Sequence, residues 1–235
     1  MKRKPYFKNE KLAPFLNIKP EFKAEVKGDE ATLYIYGDIG DSWWGESVSA
    51  ADVRDYLKDT DASTIHVRLN TLGGDVFDGL AIHNQLKGHA AKIIIHIDGI
   101  AASAGSIIAM SGDEILMPKT SMMMIHNAWT FTYGNSNELR KVAADLDKIN
   151  DTIIESYLPR FVGTREELVQ LLDDETFLTA NEAITFGLAD VEVDEAAQPE
   201  EPVLNTLLAK YAAKAKPKSD EPKNLLNQFK RNSNE

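Results

Sequence analysis

The sequence predicts an α/β domain with parallel strands, because β-branched runs alternate along the chain with segments of helical spacing. Strands are expected at residues 64–69 and 92–97, and each leads into a helical pattern, at 76–87 and 103–111. Strands that alternate with helices pair in parallel, since the helix carries the chain back to the same end of the sheet. The 235 residues suffice for one domain of about 170 residues with a polar segment on either side.

The segment before this alternation contains one strand and one helix. Residues 1–28 are polar and are expected to be irregular, and residues 32–36 form the first predicted strand. A helix is expected to begin at Ser49, because Ser49 and Asp52 have the spacing of an N-terminal capping box.

The elements after residue 111 include one long helix. Short strands are predicted at 114–117 and 121–125, and residues 135–158 form the helix. Its apolar residues recur every three to four positions and therefore share one face. They are Leu139, Val142, Ala143, Leu146, Ile149, Ile153 and Tyr157.

Three regions are expected from the changes in composition: an N-terminal polar arm (1–29), one folded domain (30–195) and a flexible C-terminal tail (196–235). The domain pattern breaks after Asp194 into a segment rich in proline and glutamate, which is typical of a linker. Within the tail, residues 203–215 have the spacing of a short helix, which is marginally stable alone.

Composition and charge exclude several classes of function. The chain has no cysteine, which excludes disulfides, thiolate metal sites and a cysteine nucleophile. The net charge is −11 although both ends are basic, so the middle is strongly acidic and nucleic-acid binding is not expected. No stretch approaches the roughly 20 apolar residues of a membrane helix, and the basic N-terminus lacks the apolar run of a secretory signal. These features predict a cytoplasmic protein without a membrane partner.

The segment Gly-Ile-Ala-Ala-Ser-Ala-Gly at residues 99–105 is the most informative for function. It follows the β-branched strand at 92–97 and consists mainly of small residues. Ala101 and Gly105 flank Ser103 at a distance of two positions and allow the sharp turn of a nucleophile elbow. Ser103 is therefore the candidate nucleophile, although a run of small residues also serves close packing of a helix against a sheet.

Other segments offer the groups that a nucleophilic serine needs. Gly73 and Gly74 follow a predicted strand, where free backbone N–H groups can stabilise an oxyanion. His126 is the one histidine that follows a predicted strand into a loop, and it is the candidate base. A carboxylate that orients this base is available in the segment Asp-Asp-Glu at residues 173–175.

These motifs, in the order Gly-Gly, Ser, His and acid, resemble those of the Clp-type serine peptidases over about residues 30–195. The resemblance implies a Clp/crotonase-like spiral of β-β-α units from which the long helix projects. It implies that Ser103 is the nucleophile and His126 the base. It also implies that the backbone N–H groups of Gly74 and Ala104 form the oxyanion hole.

The acid departs from the pattern of that family. The family usually has Asp two residues before an aromatic, where this chain has Glu175, and Asp174 lies one position earlier. Glu175 is the expected acid, with one extra methylene to accommodate, and Asp174 is the alternative.

Three segments, residues 33–40, 122–135 and 175–177, resemble the head maturation proteases of tailed bacteriophages within this family. That branch cleaves capsid and scaffold proteins, so the resemblance implies a serine endopeptidase with this role in the host cytoplasm or the assembling head. The alternative is a proteolytic subunit of an ATP-dependent Clp protease, which works with an unfoldase. A crotonase-type acyl-CoA enzyme is less favoured, because its chemistry does not need a Ser–His pair.

The resemblance also implies a homo-oligomer of rings, in which the helix at 135–158 packs against a partner subunit. A helix of the protein's own core is the alternative interpretation of its apolar face. No cofactor or metal is expected. The Gly73–Gly74 pair lacks the lysine and spacing of a nucleotide site, so any ATP dependence would come from another protein.

Overall fold

A computed structural model describes residues 18–40 and 47–193 of the chain. The strands in these ranges are Glu21–Lys27 (β1), Glu30–Ile39 (β2), Thr64–Gly74 (β3), Lys92–Ala102 (β4), Glu114–Pro118 (β5), Met122–Ile125 (β6), Thr176–Thr179 (β7) and Val191–Val193 (β8). The helices are Ala50–Lys58 (α1), Val76–Lys87 (α2), Ala104–Ala109 (α3), Ser136–Tyr157 (α4), Arg165–Asp173 (α5) and Ala180–Thr185 (α6). The short helix expected at 203–215 and the tail at 196–235 lie outside the described residues.

The described strands form one mixed sheet. Its order is β1-β2-β3-β4-β5-β8, with β6 paired to β4 and β7 paired to β6. β2, β3, β4, β5 and β8 pair in parallel, as the alternation of strands and helices predicts. Two pairs are antiparallel, β1 with β2 and β6 with β7. The α/β class predicted from the sequence is confirmed.

Strand β4 pairs with two different strands along one edge. Its residues 94–96 pair with β5, and its residues 100–102 pair with β6. The other edge of β4 is occupied by β3 from residue 92 to residue 101. The sheet therefore forks beyond the middle of β4, and the branch formed by β6 and β7 begins where β4 ends.

The region expected to be irregular contains β1, which corrects the prediction for residues 1–28. In β1 the apolar residues Phe22, Ala24 and Val26 alternate with charged ones, which is the period of a strand. All seven residues of β1 are exposed, and its backbone is held by antiparallel pairing with β2. Tertiary pairing, rather than burial of side chains, produces this strand.

Strands β3 and β4 extend beyond their predicted ends at residues 69 and 97. Gly73, Gly74 and Gly99 follow these predicted ends, but parallel pairing continues through them with local shifts of register. The predicted helix at 103–111 correspondingly shortens to α3. The helices at Ser49 and at 76–87 form as predicted, and the capping box of Ser49 and Asp52 is present.

The main core lies on one face of β2, β3 and β4. Residues of β3 alternate between buried and half-buried, because successive side chains of a strand point to opposite faces. The buried set includes Val67, Leu69, Ile95 and Ile97 from the sheet and Ile82 and Leu86 from α2. Each such side chain contributes roughly 1.5–3 kcal/mol through burial.

Helix α4 is anchored to this core only near its C-terminal end. Its fully buried residues begin at Ile153 and include Tyr157, whereas Leu139 in its second turn is 43% exposed. The apolar face predicted from the sequence is thus divided into a core part and a projecting part. None of the described helices has both the length and the apolar character needed to cross a membrane.

Candidate active site

The branch of the sheet formed by β4 and β6 brings Ser103 and His126 together. Ala102, the last residue of β4, pairs with Met124 of β6, and Ser103 N–H then donates to Met124 O at 2.9 Å. Each strand ends immediately before a predicted site residue. As a result His126 Nε2 lies 2.7 Å from Ser103 Oγ, a hydrogen-bonding distance.

Ser103 occupies a strained turn between β4 and α3. Its φ of 56° and ψ of −123° are unusual for a residue other than glycine. Such strain is found at functional sites where the surrounding structure enforces it. The turn has the strand–serine–helix arrangement expected of a nucleophile elbow.

Gly73 lies directly against this turn. A Cβ atom added at Gly73 would lie 2.6 Å from Ser103 Cβ and 2.9 Å from Ala104 N, so the position admits no side chain. Gly73 and Gly74 have φ values of 91° and 156°, in the region that favours glycine. The structure thus brings into contact the two segments that contain the expected oxyanion donors, Gly74 N–H and Ala104 N–H.

Thr71 shapes the glycine turn and was not singled out by the sequence analysis. Its buried hydroxyl donates to Gly37 O at 2.5 Å and accepts from Gly73 N–H at 3.0 Å. Its methyl group occupies the space that a Cβ at Gly105 would need. A hydroxyl residue two positions before a glycine pair at a strand end is the signal that could have identified it.

Ser106 and Tyr157 form a buried hydroxyl pair beside the nucleophile turn. Ser106 Oγ lies 2.7 Å from Tyr157 OH and donates to Ser103 O at 2.6 Å. In the sequence, Ser106 belonged to a run of small residues and Tyr157 to an apolar helix face. Only the packing of α4 on α3 joins them.

His126 contacts Ser103, whereas the other histidines have different partners. His66 and His96 lie inside β3 and β4, as predicted, and their ring nitrogens share a hydrogen bond of 2.9 Å. His83 donates from Nδ1 to a backbone carbonyl of α3 at 2.9 Å. Of the five histidines, His126 is the one that the structure places within hydrogen-bonding distance of Ser103.

Burial sets the protonation state of His126. It lowers the pKa of the imidazole below its usual value, and the negative charge of Glu175 opposes this effect. The ring is therefore neutral at neutral pH, so Nε2 can accept a proton from the Ser103 hydroxyl.

Glu175 is the acidic residue whose charge acts on His126. It immediately precedes β7, and the pairing of Thr176 with Ile125 places it near the end of β6. Glu175 is half-buried and has a φ of 51°, a second positive value at a residue other than glycine. These observations favour Glu175 over Asp174 as the orienting acid, and its role stays a prediction.

The neighbouring carboxylates have other surroundings. Asp174 is exposed and lies at the C-terminal end of α5. Asp173 is also exposed and accepts a hydrogen bond of 2.5 Å from Asn127 Nδ2, next to His126. Within the described ranges, no group of three or more histidine or acidic side chains is arranged to hold a metal ion.

The site contains a serine hydroxyl that is hydrogen-bonded to a neutral imidazole, beside a carboxylate and a tight glycine turn. This arrangement suits acyl transfer through a serine nucleophile. The comparisons with known proteins agree with this chemistry. The sequence model of the Clp protease family matches residues 47–195 of this chain.

Two relatives bear the name ATP-dependent Clp protease proteolytic subunit. The protein from Deinococcus radiodurans is 30% identical over 134 residues, which cover 56% of this chain and 65% of the relative. The protein from Pleurastrum terricola is 28% identical over 170 residues, which cover 71% of this chain and 85% of the relative. The matched segment thus spans just under two thirds of the first relative and most of the second.

A solved structure has the same fold. A point mutant of ClpP1 from Listeria monocytogenes superimposes with a TM-score of 0.60 at 22% identity, covering 70% of this chain and 91% of that chain. At this identity the likeness concerns the fold, and it agrees with the Clp/crotonase-like architecture expected from the sequence.

The acid can be identified from the reactivity of Ser103. We expect the rate of Ser103 labelling by a fluorophosphonate to rise with pH as His126 loses its proton. Glu175→Gln should lower the plateau rate about a hundredfold or more, because an amide cannot stabilise the imidazolium. It should also move the rise to lower pH, because the charge of Glu175 raises the pKa of His126.

Asp174→Asn is the matched control, since it removes a neighbouring charge of the same kind. It should leave both the plateau rate and the midpoint nearly unchanged. A large loss in Asp174→Asn with a normal Glu175→Gln would assign the acid to Asp174.

Proposed function

Because the chain belongs to the Clp protease family, we propose that it is a serine endopeptidase with Ser103 as nucleophile and His126 as base. The observation that carries this proposal is the 2.7 Å contact between Ser103 Oγ and His126 Nε2 at the strained turn after β4. A serine hydroxyl becomes an effective nucleophile only beside such a base.

In the first half of the reaction, Ser103 Oγ attacks the carbonyl carbon of the scissile peptide bond. Its proton passes to His126 Nε2, and the carbonyl oxygen becomes an oxyanion. Gly74 N–H and Ala104 N–H donate to this oxyanion, each contributing roughly 3 kcal/mol to the transition state. His126 then gives the proton to the leaving amine, and an acyl-Ser103 ester remains.

In the second half, water replaces the amine. His126 takes a proton from the water as the hydroxide attacks the ester, and it returns that proton to Ser103 Oγ when the acid product leaves. Glu175 stabilises the imidazolium that forms in both halves, which is consistent with its effect on the pKa of His126.

We further propose that the chain serves as a proteolytic subunit to which an ATP-driven unfoldase delivers substrates. The names of both relatives support this role. They favour it over the capsid-maturation role inferred from residues 33–40, 122–135 and 175–177. The maturation role remains a second candidate, because Glu175 departs from the usual acid of the family and is the residue whose charge acts on His126.

Assembly into a homo-oligomer through the projecting part of α4 completes the proposal. Leu139 is 43% exposed, and the N-terminal turns of α4 have no fully buried residue. Ile153 is buried in the core of the chain itself, so the interface is assigned to the turns before it.

The nucleophile is tested by covalent labelling. A fluorophosphonate should modify Ser103, as located by mass spectrometry of the digested protein. Ser103→Ala should remain folded but lose several orders of magnitude in peptide hydrolysis, with about 10³-fold residual catalysis over water. Modification at Ser106, or an active Ser103→Ala protein, would contradict the assignment.

The interface is tested by adding a charge to the projecting part of α4. Leu139→Glu should give smaller particles in sedimentation velocity with unchanged helical circular dichroism, because burying an unpaired carboxylate in an interface is costly. Thr152→Glu, which adds the same charge on an exposed position of α4, should sediment like the parent. Equal sedimentation of all three proteins would contradict this interface.

The two candidate roles differ in their need for ATP. In the unfoldase-dependent role, a folded substrate should be cleaved only when both a host unfoldase and ATP are added, because a folded chain must be unfolded before it enters the site. An unstructured polypeptide should be cleaved without ATP. Efficient ATP-independent cleavage of a co-expressed capsid or scaffold protein would instead support the maturation role.

A further inference from the structure

The hydrogen bonds of Ser106 have one possible direction. Ser106 Oγ donates to Ser103 O at 2.6 Å and lies 2.7 Å from Tyr157 OH. Because a serine hydroxyl has one hydrogen and a carbonyl oxygen only accepts, that hydrogen is used on Ser103 O. Tyr157 OH must therefore be the donor to Ser106 Oγ. A directed chain runs from Tyr157 through Ser106 to the Ser103 carbonyl.

The Ser103 carbonyl shares a planar peptide with the N–H group of Ala104. In a trans peptide these two groups point in opposite directions. Ser103 O also accepts from Ser106 N at 2.9 Å and from Ile107 N at 3.3 Å, so it is held on the side of α3. Ala104 N–H is thereby turned to the opposite side of the peptide. Gly73 lies beside this group, since a Cβ added there would be 2.9 Å from Ala104 N.

We propose that Ser106 and Tyr157 are positioning residues that keep the Ala104 N–H directed into the oxyanion hole. They act on the carbonyl end of the same peptide, so neither side chain touches the substrate. This inference rests on the proposed function, since it concerns the oxyanion of that reaction.

The surroundings of the pair make it suited to this task. Ser106 and Tyr157 are almost completely buried, so water does not compete for their hydrogen bonds. The strained backbone at Ser103 could relax by rotation of this peptide, and a donor to its carbonyl opposes that rotation. Burial also raises the pKa of Tyr157, so its hydroxyl keeps its proton and remains a donor over the working pH range.

The test compares Ser106→Ala, Tyr157→Phe and the double variant with the full wild-type chain, using a fluorogenic peptide amide. Ser106→Ala should lower kcat about 10-fold to 100-fold with little change in KM, because a misdirected donor loses much of its effect on the transition state. Tyr157→Phe keeps the ring and should lose about threefold to tenfold. The double variant should equal Ser106→Ala, because Tyr157 acts only through Ser106.

Ser111→Ala is the matched control. Ser111 is also buried near the end of the same helix, and its Oγ donates to the carbonyl three residues earlier, Ile108 O, at 2.7 Å. Its loss should change thermal stability as Ser106→Ala does and leave kcat within twofold. The midpoint of the pH–rate profile, which reports His126, should be the same in all variants.

Three results would overturn the inference. They are an unchanged kcat in folded Ser106→Ala, losses that multiply in the double variant, and an equal loss of kcat in Ser111→Ala. If Ser106→Ala does not fold, an unchanged kcat in Tyr157→Phe has the same meaning. A wild-type chain that is neither labelled at Ser103 nor active on peptide amides contradicts the proposed function as well. Failure of the proposed function can therefore be distinguished from failure of this inference alone.

Discussion

The pairing of the end of β4 with β6 is the constraint on which the candidate site depends. Ser103 N–H donates to Met124 O, and this bond fixes two chain segments that are more than twenty residues apart. Because both strands run in the same direction, the residues that follow them, Ser103 and His126, leave the sheet side by side. β7 then adds Glu175 from the opposite direction. The fork in the sheet thus brings Ser103, His126 and Glu175 to the ends of neighbouring strands.

Local signals were sufficient to predict α1, α2 and α4, whereas α5 and α6 were not predicted. The capping residues Ser49 and Asn135 and the apolar spacing of α2 and α4 act within one or two turns, so the sequence contains the whole signal. Strand ends were harder to predict. Gly73 and Gly99 favour turns locally, yet pairing with neighbouring strands extends β3 and β4 through both, and β1 exists only because β2 offers it an edge.

The candidate site shows the same contrast between local signals, which the sequence contains, and long-range contacts, which it does not reveal. Ser103 and His126 could be singled out as candidates because each follows an apolar strand and has a distinctive chemistry. Ser106 and Tyr157 could not, since hydroxyl residues are common and the two are 51 positions apart. Thr71 had a local signal, its position two residues before the glycine pair, but its partner Gly37 O is 34 positions away. The order of the motifs was enough to predict the family. The finer assignment to phage maturation proteases rested on short segments, and the relatives instead bear the name of an ATP-dependent protease subunit.

The main-chain origin of the proposed oxyanion donors affects how this protein tolerates change. Substituting Ala104 leaves its N–H group in place, so the donor itself cannot be deleted by exchanging that side chain. Activity should instead be sensitive to substitutions at positions that hold the backbone in place. The main example is Gly73, where Ser103 and Ala104 already occupy the space of any side chain. During evolutionary drift, such supporting positions should accept fewer residue types than other positions that do not contact the substrate. A survey of variants that follows only the serine, the histidine and the acid would overlook them.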